Sequence, residues 1–404
     1  MTLQLIIVLI LVGGWLFGRL FARIRLPGVL GMTLWGLAIG TLWRDAVPKE
    51  LWDMAPFLKS LALIVILLRA GLGIRLDTLK KVGAAVMKMS FLPALFEAAA
   101  LTALFRFVLG FEWVVAALAA LLLSAVSPAV VVPSMLHLKE RGYGGKRDVP
   151  TMILAGAGLD NVIVITLFTL CLGFAKGDKI GLLEAVLAVP RSLVLGVLPG
   201  LVVGFFLVWV FERYYDKIRA TEKTLLLLGV SFLLVQVGDW MQAAALLGIM
   251  TVGFILLARA DRVAKELSSK LGKVWVASEI VLFVLIGMSV KLDVALRAGP
   301  LALVLVAAGL IARSAGVWAA TAGSALDRKE RLFSVVAYLP KATVQAALGA
   351  VPLQEGVSGG EVILAYAVLA IFFTTPLGLV GIRLAGPKLL NIDIGEDEWE
   401  DAGD

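Results

Sequence analysis

Residues 156–168 read GAGLDNVIVITLF, an apolar run that sets a carboxylate and an amide side by side, Asp160 and Asn161. A charged side chain at the centre of a bilayer costs at least about 2.5–3.5 kcal/mol, so an ionisable residue in such a run is either paired or part of a pathway. A partly desolvated carboxylate can hold a proton or a monovalent cation, and the two compete. Asp160 is therefore the simplest exchange device in the chain. The competing reading is a structural ion pair, with Lys341 as the candidate partner. Asn161 offers an amide oxygen as a neutral cation ligand, or else a helix-packing hydrogen bond.

Two further stretches carry the same kind of signal. Pro128 lies in VSPAVVVPS (126–134) and Pro340 in LPKATVQAA (339–347), both inside apolar segments. Each proline removes a backbone N–H and should unwind its helix locally. Unwound backbone at membrane depth is tolerated only where it is buried in protein or lines a wet cavity. There the freed carbonyls beside Ser127 can coordinate a cation, with Ser127 and Thr343 as neutral ligands. Gln345 should line the same cavity. Lys341, next to Pro340, would compensate the exposed carbonyl end of a half-helix. Glu97 (LPALFEAAALT) and Arg313 (VLVAAGLIARSAGV) are each alone among apolar neighbours, and opposite charges so placed most economically pair with one another. That pair reads as structural or as a gate. Glu279, in WVASEIVLF, is a further candidate that could reach solvent at one face.

The elements that must hold these residues are membrane helices. The 404 residues are 60% hydrophobic, with a mean hydropathy of +0.98, more apolar surface than a water-soluble fold can cover. Apolar stretches long enough to span fall roughly at 3–21, 29–43, 57–74, 84–107, 113–136, 151–175, 188–211, 222–237, 242–258, 274–290, 299–323, 332–353 and 361–383. The first has no basic residues before it and no small-residue cleavage site, so it reads as a helix and not as a removed signal. Cys171 and His137 are the only residues of their kinds. That excludes disulfides, thiolate metal clusters and histidine-based zinc sites. No nucleophile–base set or HExxH is present either, so an enzyme is not expected, nor a resident cofactor. The +7 charge reflects loops facing the cytoplasm, not nucleic acid.

Lys and Arg crowd the odd-numbered connections, as in Lys139, Arg141, Lys146 and Arg147, and thin out in the even ones. Basic loops stay inside, which puts the N-terminus outside and the C-terminus in the cytoplasm of a multi-pass protein of the cell (inner) membrane. The chain also repeats itself. LGMTLWG (30–36) matches LGIMTVG (247–253), GLGIRLD (71–77) matches GMSVKLD (287–293), and the two proline stretches match each other. The offset is seven helices, an odd number, so the copies are inverted. Inverted repeats with Pro-interrupted helices point to a secondary transporter with its site at the midplane.

Taken together, AVSPAVVVPSML (125–136) leading to RGYGGK, VPTMILAGAGLDNVIVIT (149–166) and LPKATVQAALG (339–349), with Glu97 and Arg313, resemble the cation–proton antiporter superfamily. Its NHA branch of sodium–proton exchangers is the most similar. The resemblance runs through nearly the whole chain. It implies thirteen helices, a dimerisation domain, a six-helix core moving as an elevator, and a homodimer exchanging Na⁺ or Li⁺ for H⁺; the residues themselves offer Asp160 as the Na⁺ ligand. The chain departs from the branch where two adjacent aspartates are usual and the second binds the ion, because it has Asp160 and then Asn161. Neighbours on a helix are turned by roughly 100°. Asp160 takes over the role, or the ion or stoichiometry changes, or exchange is lost.

The expectation is an all-α polytopic membrane protein with one cation/proton-exchanger domain over 1–388. It comprises inverted repeats of about 1–175 and 222–383, a linker helix of about 188–211, and an acidic cytoplasmic tail at 389–404. Its partners are lipid, small inorganic cations (Na⁺ or Li⁺, and K⁺ as a further option) and a second copy of itself. A sodium-coupled organic-anion carrier of the same architecture and a non-transporting sensor are the alternatives.

Overall fold

The computed structural model describes residues 1–24, 28–74, 76–177, 182–241, 245–289 and 292–392. Among them every regular element is a helix. The first span is α1 (Leu3–Val8) and α2 (Gly14–Arg23), continuous through a π-helical turn at Leu9–Gly13. The turn has a cause: the Trp35 indole donates to Leu9 O at 2.8 Å, drawing that carbonyl out of the regular ladder. Then follow α3 (Gly28–Leu42), α4 (Lys49–Gly71), α5 (Leu76–Met89) and α6 (Leu92–Val108). The sequence reading runs one helix through 84–107. Here the chain bends at Ser90–Phe91, where Pro93 lacks the N–H that would continue the ladder.

The fifth span is broken into α7 (Trp113–Ser124) and α8 (Pro128–Glu140). Next come α9 (Val149–Ala175), α10 (Leu182–Arg213), α11 (Ala220–Met241), α12 (Ala245–Arg259) and α13 (Asp261–Ser289). A single residue, Ala260, separates the last two, so Arg262, Lys265, Lys270 and Lys273 are helical where the sequence reading has a loop. Buried Val263, Ala264, Leu267 and Leu271 form the stripe that makes this half of α13 pack. The Asp261–Lys265 pair, at 2.7 Å, supports its exposed side. α14 (Leu292–Ala320) kinks at Gly299, whose φ of 69° precedes Pro300. The twelfth span is made of short pieces, α15 (Arg328–Ala337), α16 (Thr343–Leu348) and α17 (Val351–Gln354), and α18 (Gly360–Leu389) ends the bundle.

Ten helical stretches are long and apolar enough to cross a membrane, and α3 and α12 are shorter apolar helices. With the broken twelfth span, all thirteen expected spans have a counterpart. Several helix pairs pack backbone against backbone at glycines, α3–α13 and α4–α12 among them. On α3 and α13, a Cβ at Gly36 would meet Val284 O and one at Gly287 would meet Thr33 O. On α4 and α12, Gly71 faces Met250 O and Gly253 faces Leu68 O in the same way. Small residues at such crossings allow backbone contact. Large apolar side chains such as Leu198, Val202, Phe206 and Trp209 on α10 face outward, as lipid requires. Of the acidic tail, residues 393–404 lie outside the described residues. Its root is held where Gly144 N donates to Asn391 O at 2.7 Å.

Candidate functional site

The two breaks meet. α7 ends at Ser124, Ala125 and Ser127 are extended, and Pro128 opens α8 at the position where its missing N–H costs nothing. α15 ends at Ala337, and Tyr338–Ala342 run non-helically to α16. Ser127 N then donates to Pro340 O at 2.9 Å, so each break satisfies part of the other. The Ser127 and Thr343 hydroxyls lie 3.5 Å apart. The second break is anchored to α18, where Lys341 N donates to Thr374 Oγ1 (2.9 Å) and Thr375 Oγ1 donates to Lys341 O (2.6 Å).

α9 delivers Asp160 and Asn161 to this crossing. Its start is fixed by Asp148, whose Oδ1 accepts from Thr151 N at 3.3 Å, followed by Pro150 in the first turn. Asp160 is fully buried; its Oδ2 accepts from Val126 N at 3.2 Å and from Arg313 Nη2 at 3.4 Å. Its other oxygen, Oδ1, is buried without a donor. Asn161 Nδ2 donates back along the helix to Ala157 O at 2.9 Å, and its Oδ1 is also left unpaired.

Arg313 is the hub. Its Nε donates to Tyr338 O at 2.7 Å, its Nη1 to Glu97 Oε2 at 3.0 Å and to Ser124 O. One guanidinium thus meets the carbonyl ends of both interrupted helices, α7 and α15, where the backbone dipole is negative. Its planar fork suits that task better than an ammonium would. The Tyr338 ring lies under it at 5.3 Å. Lys341 has Glu97 Oε2 as its ion-pair partner, at 2.8 Å, in place of the Asp160 partner considered from the sequence. Glu97 therefore holds two cations, and the four buried charges, Asp160, Glu97, Arg313 and Lys341, sum to zero when all are ionised.

The structure thus brings together Asp160, Asn161, Ser127, Thr343, Lys341, Glu97, Arg313, Pro128, Pro340 and Gln345. Glu279 lies elsewhere, on the wall of a cavity of about 630 Å³. That cavity is bounded by α3, α4 and α13 on one side and by α8 and α18 on the other. Ser134 and His137 of α8 line it, and Arg69 of α4 meets Glu140 of α8 there at 3.5 Å. Ser134 stands six residues beyond Pro128, about 9 Å along the helix, so the cavity reaches towards the crossing along α8. Sequence reasoning missed Tyr338, the Val126 N–H and the Thr374–Thr375 pair. Only the last had a visible signal, two adjacent hydroxyls in the apolar stretch IFFTTPLGLV.

Residues 7–384 match the family described as sodium/hydrogen exchanger, transmembrane. The human sodium/hydrogen exchanger 9B2 is 35% identical over 400 residues, covering 94% of this chain and 73% of that one. The human sodium/hydrogen exchanger 9B1 is 31% identical over 390 residues, covering 90% and 73%. Among solved structures, the sodium proton antiporter MjNhaP1 from Methanocaldococcus jannaschii superposes with a TM-score of 0.73 at 20% identity, covering 95% of this chain and 97% of that one. That likeness shows the fold.

Proposed function

Because the chain belongs to the sodium/hydrogen exchanger family, we propose that its Asp160 carboxylate binds a proton and a monovalent cation in alternation, from opposite sides of the membrane. The protein is a secondary antiporter exchanging Na⁺ for H⁺ and not an enzyme. The observation that carries the site assignment is the unpaired, fully buried Oδ1 of Asp160 at the meeting of two interrupted helices. A buried acceptor without a donor is costly, and either a proton or a cation relieves it. Asn161, Ser127 and Thr343 are the neutral ligands in this reading, with Na⁺ on Asp160. Arg313 and Lys341, held by Glu97, keep the empty site neutral and the carbonyl ends compensated. No cofactor is called for beyond the transported ions.

An organic-anion carrier is not favoured: the relatives are sodium/hydrogen exchangers, and both buried cations at the crossing are already paired. A non-transporting sensor is not favoured for the first of those reasons. We read the chain further as two inverted repeats, about 1–175 and 222–383, joined by α10. The reciprocal glycine contacts support this, since matched glycines Gly36 and Gly253 meet the partner copy's Gly287 and Gly71 helices. The distribution of Lys and Arg supports an N-terminus outside and a C-terminus in the cytoplasm of the cell membrane. The outward apolar surface of α10 supports contact with lipid and with a second copy. The test of function is Na⁺-driven proton movement in proteoliposomes. Wild type should exchange and Asp160→Asn should not; undiminished exchange in Asp160→Asn would sink the carrier assignment.

A further inference from the structure

We propose that Gln345 is a cation ligand of the transport site, its Oε1 standing with Asp160 Oδ1 and Asn161 Oδ1 as the oxygens of a site with a single carboxylate. The proposal deepens the reading of the crossing as an ion site and rests on it. Gln345 lies in the first turn of α16 and is buried. Its Nε2 donates to Leu122 O at 2.9 Å and to Ala125 O at 3.0 Å, the carbonyls that α7 leaves exposed as it breaks. Both amide protons are thereby used. Exchanging oxygen for nitrogen would set Oε1 against two carbonyl oxygens, so the orientation of the amide is fixed. Oε1 is left buried with no donor.

The other unpaired oxygens belong to the same crossing by connectivity. Gln345 is bonded to Ala125, Asp160 to the adjacent Val126, and Asn161 follows Asp160. Among the described residues these three are the buried acceptor-only side-chain atoms without a donor. The remaining unpaired buried atoms are the Nε of Arg69 and of Arg331 and the Tyr338 hydroxyl, all of which can donate. Packing gives no reason for three orphaned acceptors to gather at one helix break, since buried polar groups are normally paired. The backbone and guanidinium donors named at the crossing are engaged: Val126 N and Arg313 hold Asp160 Oδ2, and Ser127 N holds Pro340 O, while the Tyr338 hydroxyl, against Gly156 one turn before Asp160, is an unpaired donor. A proton on Asp160 Oδ1 can be donated to one of the two amide oxygens and leaves the other unsatisfied, whereas one cation can satisfy all three. One formal negative charge among neutral oxygens suits a monovalent ion. Gln345 thus sets how tightly the cation competes with the proton, while its nitrogen braces the break.

The experiment separates ligand from brace. Thermal unfolding of the purified full chain is followed against NaCl and LiCl with choline chloride as control, alongside Na⁺-driven proton movement in proteoliposomes. Loss of an outer partner alone weakens a bound ion about 10–100-fold, so Gln345→Ala should raise the half-saturating Na⁺ concentration at least tenfold in both assays. A brace alone would lower the melting temperature without moving the half-saturating concentration, and that result overturns the proposal. Gln345→Glu restores an oxygen at the same reach. It should recover Na⁺ response at high pH and make it steeply pH-dependent; a response as weak as that of Gln345→Ala at every pH also overturns the proposal. If Asp160→Asn keeps the Na⁺ response while Gln345→Ala loses it, the carrier reading fails and the ligand assignment stands. A wild type unresponsive to both ions overturns both.

Discussion

Asp160 sits 3.4 Å from a guanidinium and still keeps one oxygen free, and the charge count around it sets the electrical character of the exchange. The empty site is neutral; adding either one proton or one Na⁺ to Asp160 brings the same single positive charge. Cycling between those two loaded forms moves no net charge, so an imposed membrane potential should leave Na⁺-driven proton movement unchanged. Asn161→Asp supplies a second carboxylate, and its exchange should become voltage-sensitive. A clear voltage dependence in wild-type proteoliposomes would falsify the one-for-one scheme. Glu97 makes a different prediction. It pairs with both Arg313 and Lys341 inside the protein, so Glu97→Gln strands Lys341, leaves Arg313 with Asp160 alone, and should cost about 3–5 kcal/mol in thermal stability. Pairing Glu97→Gln with Arg313→Ala should be less than additive; strictly additive losses would mean the two side chains do not interact. The charged members of this cluster are legible in the sequence because each is isolated in an apolar run. Their wiring is not legible. That Lys341 turns to Glu97, and that Arg313 meets Ser124 O and Tyr338 O, depends on where four separate helices place their ends in space.

The interrupted helices depend on what holds their outer ends, and α15 has a well-defined clamp. Asp327 Oδ1 accepts from Glu330 N and Glu330 Oε2 accepts from Asp327 N, both at 2.9 Å, a reciprocal cap. Arg147, in the loop after α8, reaches Asp327 at 3.1 Å and Glu330 at 2.6 Å, tying the ends of the two broken spans together. The Glu330 backbone N–H and the Arg147 guanidinium hold the Asp327 carboxyl below the usual carboxylate range. A carboxyl depressed on folding stabilises above its unfolded pKa, and that stability is lost as pH falls through the folded value. Asp327→Ala should therefore lower stability by about 0.5–2 kcal/mol at neutral pH, and the difference from wild type should vanish in acid. Melting curves from pH 7 down to below the carboxylate range check this, and a difference that persists in acid would remove the cap's ionisation from the account. Helix existence was readable at this scale because apolar length suffices to find a span. The bend at Ser90–Phe91 and the helical Arg262–Lys273 segment were not. Local hydropathy is silent on a proline bend inside an apolar run, and reads a basic amphipathic turn as loop.

At the scale of the molecule, two independent features bear on which side the structure is open to. The cavity of about 630 Å³ lies between the α3–α4–α13 wall and the α8–α18 wall. Its mouth is framed by the ends of α8 and α18, with Glu140, Arg141, Arg383 and Pro387. Those ends carry the basic connections that the charge distribution assigns to the cytoplasm. On the proposed orientation the cavity opens inward, and α8 is the wall along which an ion from the cytoplasm would approach Asp160. The Arg69–Glu140 contact then bridges the two walls at the mouth, where any movement of one wall against the other must break it. Ser134 gives the test, because it lines the cavity and its hydroxyl bonds back to Val130 O of its own helix. Ser134→Cys in a Cys171→Ser background should react with a membrane-impermeant maleimide in inside-out vesicles. In right-side-out vesicles it should stay protected until they are permeabilised. Labelling from the outside of intact right-side-out vesicles would invert the topology, and with it the direction from which this open state takes up its ion.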